Sequence, residues 1–298
     1  MNGQLKRPSP GTVEVVRHAF ISGAEQMRRN LYRSAFSPAI YEMKDCSVGI
    51  YDAQGALLGQ APGLPFFLGS LGGTIREVIL RKGVEIFEAD DIWIVNDSTI
   101  CGSHLNDITV FSPVFIDSTL RGFAGAKAHC NDVGAKEAGY VGDSVDIFQE
   151  GFRIGPTRIV HRGKLDEQIL DLIALNSRFP TSIVGDLMAE FTACRTGVEC
   201  FQSIVERFGW LQVASSIHEI FVQAESMDRE SVRAIPDGEY SAEGSLDNDG
   251  VTDDPVDVKV TVRIKGDEME VDLSGSSSQC TGSVNCGIVQ TRSGIEQA

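Results

Sequence analysis

Between Asp91 and Asp132 the chain sets two of its five histidines beside carboxylates, in Gly102-Ser103-His104-Leu105-Asn106-Asp107 and Ala128-His129-Cys130-Asn131-Asp132. Neutral imidazole and carboxylate oxygen suit a divalent metal of borderline hardness, and three such ligands leave a position for water. Each phrase stands at the end of an apolar run. Ile108 to Phe115 follows Asp107, and Leu120 to Ala128 precedes His129, with Asp117-Ser118 as a turn between them. Antiparallel pairing brings the open ends of such runs together, so the pattern predicts that His104, Asp107, His129 and Asp132 meet. The alternative for each histidine is structural: it caps a strand end or hydrogen-bonds the backbone.

Several elements must position these groups. Ile92-Trp93-Ile94-Val95 reads as a short buried strand that breaks at Asn96-Asp97. Residues 12 to 34 carry Val16, Phe20, Ala24, Met27 and Leu31 at helical spacing, ended by Ser37-Pro38. The chain through Pro10 reads as disordered, and the basic residues between Lys6 and Arg33 read as a solvated helix face. Cys46 to Tyr51 and Ala56 to Gln60 form a predicted hairpin with Asp45 at the foot of its first strand. Gly69 to Gly73 opens a predicted helix; neither phosphate-binding glycine pattern is present, so these glycines are assigned to close packing. Residues 133 to 145 read as a loop able to cover a site, with Lys136, Glu137 and Asp143 keeping it hydrated. Helices follow over 164 to 176, 182 to 208 and 210 to 234.

After Pro236-Asp237-Gly238 the pattern changes to strict alternation, with Val256, Val258, Val260, Val262 and Ile264 answered by Met269, Val271 and Leu273 across a turn at Lys265-Gly266-Asp267. The fold expectation is therefore mixed α+β: metal-bearing hairpins with packed helices over residues 1–236, then a β-rich segment over 237–298 that looks incomplete.

The 298 residues carry a formal charge of −16, which argues against a nucleic-acid partner because phosphate binding needs a cationic surface. No apolar run approaches the roughly 20 residues needed to span a bilayer, and the first residues do not read as a signal peptide. A cytoplasmic protein is expected. Seven cysteines, without C-x-x-C spacing, indicate neither a disulfide framework nor a thiolate zinc site.

Four ordered phrases, Asp91 to Asp97, Gly102 to Thr109, Ala128 to Gly134 and Asp146-Ile-Phe-Gln-Glu-Gly-Phe-Arg-Ile154, resemble the hydantoinase B and oxoprolinase family, whose relatives include the large subunits of acetone and acetophenone carboxylases. Ser37 to Ser47, Asn176 to Gly197, Asp272 to Gly275 and Asn285-Cys286 extend the resemblance over nearly the whole chain. The resemblance implies that His104, Asp107 and His129 hold a divalent metal (Mn, Zn or Fe), with Asp45 as a fourth ligand. Cys130 departs from the family pattern, where a second histidine is common. Asp132 is placed to orient an imidazole, and Asp97 and Asp132 are each candidates for general base or for support behind a ligand. Arg153, in the Phe-Gln-Glu-Gly-Phe-Arg phrase, could grip a carboxylate or phosphate, or pair internally with Glu150.

The resemblance further implies that relatives continue beyond Ala298, so a truncated or split polypeptide is expected. Its leading functional expectation is the B-type subunit of an ATP-dependent hydantoinase or oxoprolinase. In such an enzyme a hydantoinase A-type ATPase subunit, which holds ATP with Mg, activates a cyclic amide, and the metal-bearing subunit opens the ring. A subunit of an acetone- or acetophenone-type carboxylase and a non-catalytic assembly fragment are the alternatives.

Overall fold

The computed structural model describes residues 8–298. The segment expected to be disordered lies, through Arg7, outside the described residues, as does Lys6 of the basic face. Helix α1 (Pro10–Ser34) starts where Ser9 accepts a hydrogen bond from Thr12 N at 3.2 Å and Pro10 fills a first-turn position that needs no N–H. Its predicted stripe, Val16 to Leu31, is wholly buried. A single turn, α2 (Pro38–Tyr41), leads to the hairpin β1 (Cys46–Asp52) and β2 (Leu57–Gln60), with Asp45 directly before β1.

Helix α3 (Pro65–Lys82) differs from expectation at its start: Pro65 opens it, and Gly69 to Gly73 lie inside. Strand β3 (Ile92–Val95), the turn α4 (Ser98–Cys101), β4 (Asp107–Ile116) and β5 (Thr119–His129) follow. Asp117 and Ser118, at φ 47° and 60°, make a left-handed two-residue turn of the kind that matches strand twist. The chain then runs without a regular element to a 3-10 turn at Ile147–Gln149, and on to β6 (Thr157–His161) and β7 (Lys164–Leu165).

The helix expected from Lys164 begins later, as α5 (Glu167–Leu175), because Asp166 caps it by accepting from Gln168 N and Ile169 N while Lys164 and Leu165 pair with β6. Helices α6 (Pro180–Phe208) and α7 (Trp210–Arg233) are separated by Gly209. Strands β8 (Gly238–Leu246), β9 (Val256–Lys265) and β10 (Glu268–Asp272) and helix α8 (Ile288–Ile295) complete the chain.

Seven strands form one antiparallel sheet in the order β2-β1-β5-β4-β3-β6-β7, and β10-β9-β8 form a second, which makes the mixed α+β architecture expected. Helices α1 and α6 cover one face of the large sheet and α3 the other. Period-two alternation sorts β5 between these faces. Ala124, Ala126 and Ala128 belong to the core under α1 and α6, where Phe20 and Phe201 pack edge to face at 5.2 Å. Phe123 lies on the α3 side with Phe111, Phe87 and Trp93.

The smaller sheet has one apolar face, built from Tyr240, Leu246, Val258, Val260, Val262 and Met269 in register. Tyr240, Leu246, Val258 and Met269 are 44 to 49% exposed. Ile264, on the same face in the same register, is only 4% exposed, so the face is closed at that end and half-open along the rest. The chain does not end there: α8 returns to pack on α3, and Ser293 donates to Phe66 O at 2.6 Å.

Candidate metal centre and its cavity

The β4–β5 register sets Asp107 opposite His129 at the open end of the hairpin, as the spacing predicted. Directly opposed residues point to the same face, and the two side chains meet: His129 Nδ1 and Asp107 Oδ1 are 2.8 Å apart. Asp45 joins them because β1 is the other neighbour of β5, and His129 N donates to Asp45 O at 3.0 Å. His104 arrives from the loop after α4. Its ring stands 6.5 Å from that of His129 and 4.5 Å from that of Tyr140, centroid to centroid.

Asp45, His104, Asp107 and His129 all line one cavity of about 1100 Å³. Its walls also include Phe66 and Phe67 of α3, Tyr140 and Glu150 of the long loop, Arg153, and Cys280, Asn285 and Cys286 of the returning tail. The tail approaches closely. Gly102, at φ 76°, ends α4 in the left-handed region, and a Cβ there would lie 2.5 Å from Gln290 N.

The charges around the cluster are coupled. Burial pushes the Asp45 carboxyl up, against the pull of His129 and His104. Burial also opposes ionisation of Asp107, but the hydrogen bond with His129, the Lys127 charge and the imidazoles carry its carboxyl below the ordinary range. The same hydrogen bond raises His129 despite its burial, whereas burial dominates at His104 and lowers it. Lys127 is fully buried one alternation from His129, donating to Ser70 Oγ at 3.1 Å and Cys101 O at 3.2 Å over the Phe67 ring.

These residues fit a divalent metal. Two imidazole nitrogens and two carboxylates form the mixed donor set that Mn, Zn and Fe accept, and Asp45 Oδ1 is buried without a hydrogen-bond partner. Among the described residues, a tighter set of donor atoms, within 4.8 Å of one another, belongs to Glu88, Asp91 and His161. Positive charge already occupies that set. Arg158 bridges Glu88 and Asp91, and Arg162 makes a two-armed contact with Glu88 at 2.7 and 2.8 Å, so a cation there would displace guanidinium.

Other predicted site residues stand further out. Asp132 does not join the histidines; its carboxylate accepts from Arg178 Nη1 at 2.7 Å, from Arg178 N and from Gly134 N, tying the long loop to the start of α6. Asp97 caps α4 through Thr99 N and pairs with Arg153 Nη2 at 3.0 Å, which answers whether Arg153 turns to Glu150. Cys130 is buried and its thiol is pushed up by burial. In the covering loop, Lys136 and Asp143 pair with each other at 2.7 Å. All seven cysteines are free.

Tyr140, Lys127 and the tail cysteines are not among the residues predicted for the site, and Glu150 is predicted only as a partner for Arg153. Alternation along β5 could have placed Lys127 on the His129 face; nothing local signals that Cys280 and Cys286 return to the cavity.

The architecture and the cavity define a mixed α+β protein with a nitrogen and oxygen donor cluster at the open end of a hairpin. The chain belongs to the hydantoinase B/oxoprolinase family, whose profile matches residues 9–297. It is 32% identical over 286 residues to the provisionally named B-type subunit of a D-/L-hydantoinase from Pseudomonas sp. (strain NS671), covering 93% of this chain and 48% of that one. It is equally identical, 32% over 263 residues, to the beta subunit of the caprolactamase from Pseudomonas jessenii, covering 88% of this chain and 45% of the other.

The crystal structure of the ATP-dependent caprolactamase from Pseudomonas jessenii superposes with a TM-score of 0.88 at 28% identity, over 98% of this chain and 50% of that one. Acetone carboxylase in its nucleotide-free form shares the fold, with a TM-score of 0.83 at 21% identity over 97% of this chain and 40% of that one. The chain thus spans about half the length of the hydantoinase and caprolactamase chains it matches. Among the described residues, no helix is long and apolar enough to cross a membrane.

Proposed function

We propose that this chain is the metal-bearing part of an ATP-dependent enzyme that opens a cyclic amide, a hydantoin or lactam. Its partner is an A-type ATPase subunit that binds ATP with Mg, and the two form a cytoplasmic hetero-oligomer. What carries the reading is the convergence of Asp45, His104, Asp107 and His129 on one cavity in a member of this family.

Amide hydrolysis is slow at neutral pH because resonance protects the carbonyl and nitrogen leaves poorly. Asp45, His104, Asp107 and His129 would hold a Mn, Zn or Fe ion, which supplies a Lewis acid and lowers the pKa of bound water toward ~7. The chain's own residues do the rest of the binding. Arg153, on the cavity wall, grips the anionic group of the substrate, a carboxylate or the phosphoryl added by the partner. Asp97 orients that guanidinium from the opposite side. Asp132, through Arg178, holds the loop that carries Tyr140 and Glu150 against the cavity. No phosphate-binding glycine motif occurs in the chain, which agrees with nucleotide binding on the partner.

The test is ADP release by this chain combined with its ATPase partner. Release dependent on caprolactam, 5-oxoproline or a hydantoin, with ring-opened product, is the expected result. Release that requires acetone or acetophenone with bicarbonate instead would sink the hydrolase reading.

A further inference from the structure

We infer that Glu150 is a catalytic residue, the group that relays protons during ring opening. This rests on the cyclic-amide reading above. Four carboxylates line the cavity: Asp45, Asp107, Asp146 and Glu150. Asp45 and Asp107 belong to the donor cluster. Asp146 is engaged as a cap, accepting from Phe148 N at 3.0 Å. Glu150 alone of the four has neither role, and among the described residues its carboxylate has no hydrogen-bond or ion-pair partner. Asp97 and Asp132, the bases suggested by sequence, hold Arg153 and Arg178 instead and are not cavity-lining residues.

The backbone that carries Glu150 is fixed on both sides. Upstream, Lys136 N donates to Gln149 O at 2.9 Å and Val145 N to Gln149 Oε1 at 2.9 Å. Downstream, Phe152 N donates to Val133 O at 2.7 Å. The Asn96 side chain then clamps both Phe152 O, at 3.0 Å, and Ile154 N, at 2.6 Å. Between these anchors Gly151 takes φ 124° with its α-carbon against Val133, where a Cβ would lie 2.5 Å from Val133 O. A rigid mount with one unengaged, half-buried acid facing a reaction cavity is the arrangement that proton transfer requires. Burial pushes the Glu150 carboxyl up, the direction that eases its taking up a proton.

The step balances without any further reactant. In a ring already phosphorylated on its oxygen, the carbon is bound to nitrogen as an imidate. The oxygen of a water molecule bonds to that carbon and the carbon–nitrogen bond breaks with its electrons on nitrogen. Both water protons finish on that nitrogen, one of them carried by Glu150, which ends the step in the state in which it began. The phosphoryl oxygen stays on carbon.

The experiment uses the full chain loaded with Mn or Zn and O-methyl caprolactim, a cyclic imidate already activated at oxygen, so that no ATPase is needed. Ring opening gives methyl 6-aminohexanoate. The expected result is metal-dependent opening by the native chain, about 100-fold or more slower in kcat for Glu150→Gln, with KM and metal content unchanged. Glu150→Ala should regain rate when formate is added. A Glu150→Gln enzyme within about threefold of the native rate would overturn the assignment while leaving the cyclic-amide reading in place. So would loss of metal in that variant, or a Glu150→Ala enzyme that formate does not rescue. A native chain that does not open the imidate faster than buffer overturns both readings together.

Discussion

Asp107 and His129 occupy directly opposed positions across β4 and β5, and their side chains share a 2.8 Å hydrogen bond at the hairpin's open end. Asp107 is only 2% exposed, and that bond is the main favourable contact of its buried carboxylate, with the Lys127 charge behind it. His129→Ala should therefore cost about 3 kcal/mol of stability in the metal-free protein, because it leaves a buried carboxylate without its hydrogen-bond partner. His104→Ala should cost less, since among the described residues its ring has a tilted contact with Tyr140 and an edge contact with His129 but no hydrogen-bond partner. Urea midpoints in chelator check this difference.

Both variants should lose metal. Elemental analysis of the native chain is expected to find about one equivalent of Mn, Zn or Fe, and neither His104→Ala nor His129→Ala should retain it. A native chain that stays metal-free when purified with its partner would remove the proposed centre.

Arg153 gives a test of substrate charge. A lysine there keeps the positive charge but loses the two-pronged geometry, so Arg153→Lys should raise KM about 10-fold for a carboxylate-bearing ring such as 5-oxoproline. Caprolactam, which has no carboxylate, should be affected less. Equal effects on both rings would mean that Arg153 grips the phosphoryl group common to both, and no effect on either would mean that it serves only Asp97.

The hairpin and its two-residue turn are legible in the sequence because alternation, β-branched residues and Asp117-Ser118 all point the same way. Asp45 stands at the foot of β1 as its position in the sequence implies, but its approach to His129 depends on β1 pairing with β5, a long-range register that no local pattern encodes. Asp132 shows the opposite limit. Its spacing from His129 matches a metal site, yet Arg178, 46 residues on, takes its carboxylate. The tail wall at Cys280 to Cys286 is hidden for the same reason: the return of α8 onto α3 is a tertiary contact between short, weakly patterned segments.

Glu190, on α6, is wholly buried with neither oxygen hydrogen-bonded, and Asp186 lies one turn away. Burial, then the Asp186 charge, holds its carboxyl well above the ordinary range. An acid with a raised folded-state pKa weakens the fold as pH rises above its unfolded value, because only the unfolded chain ionises it freely. Glu190→Met, similar in length and without the unsatisfied oxygens, should stabilise the protein by about 1–3 kcal/mol at pH 7. The gain should shrink as pH falls below the ordinary glutamate range. A lower melting temperature for the variant at pH 7 would mean that Glu190 has a partner after all.

Glu88 has the opposite sign. Arg162, then His161, draw its carboxyl down to about 2, from 4.5. A depressed folded-state value contributes stability that is fully present above the unfolded pKa and is lost as pH falls through the folded one, here between 4.5 and about 2. Glu88→Gln should therefore be less stable than the native chain at pH 6 and indistinguishable from it near pH 2. The difference should also shrink in high salt, since Arg162 is 70% exposed and the pair is open to screening. Unfolding curves for the two proteins that stay parallel from pH 6 to 2 would mean that the guanidinium contacts do not hold Glu88 ionised. The charge argument against a cation at Glu88, Asp91 and His161 would then fail with them.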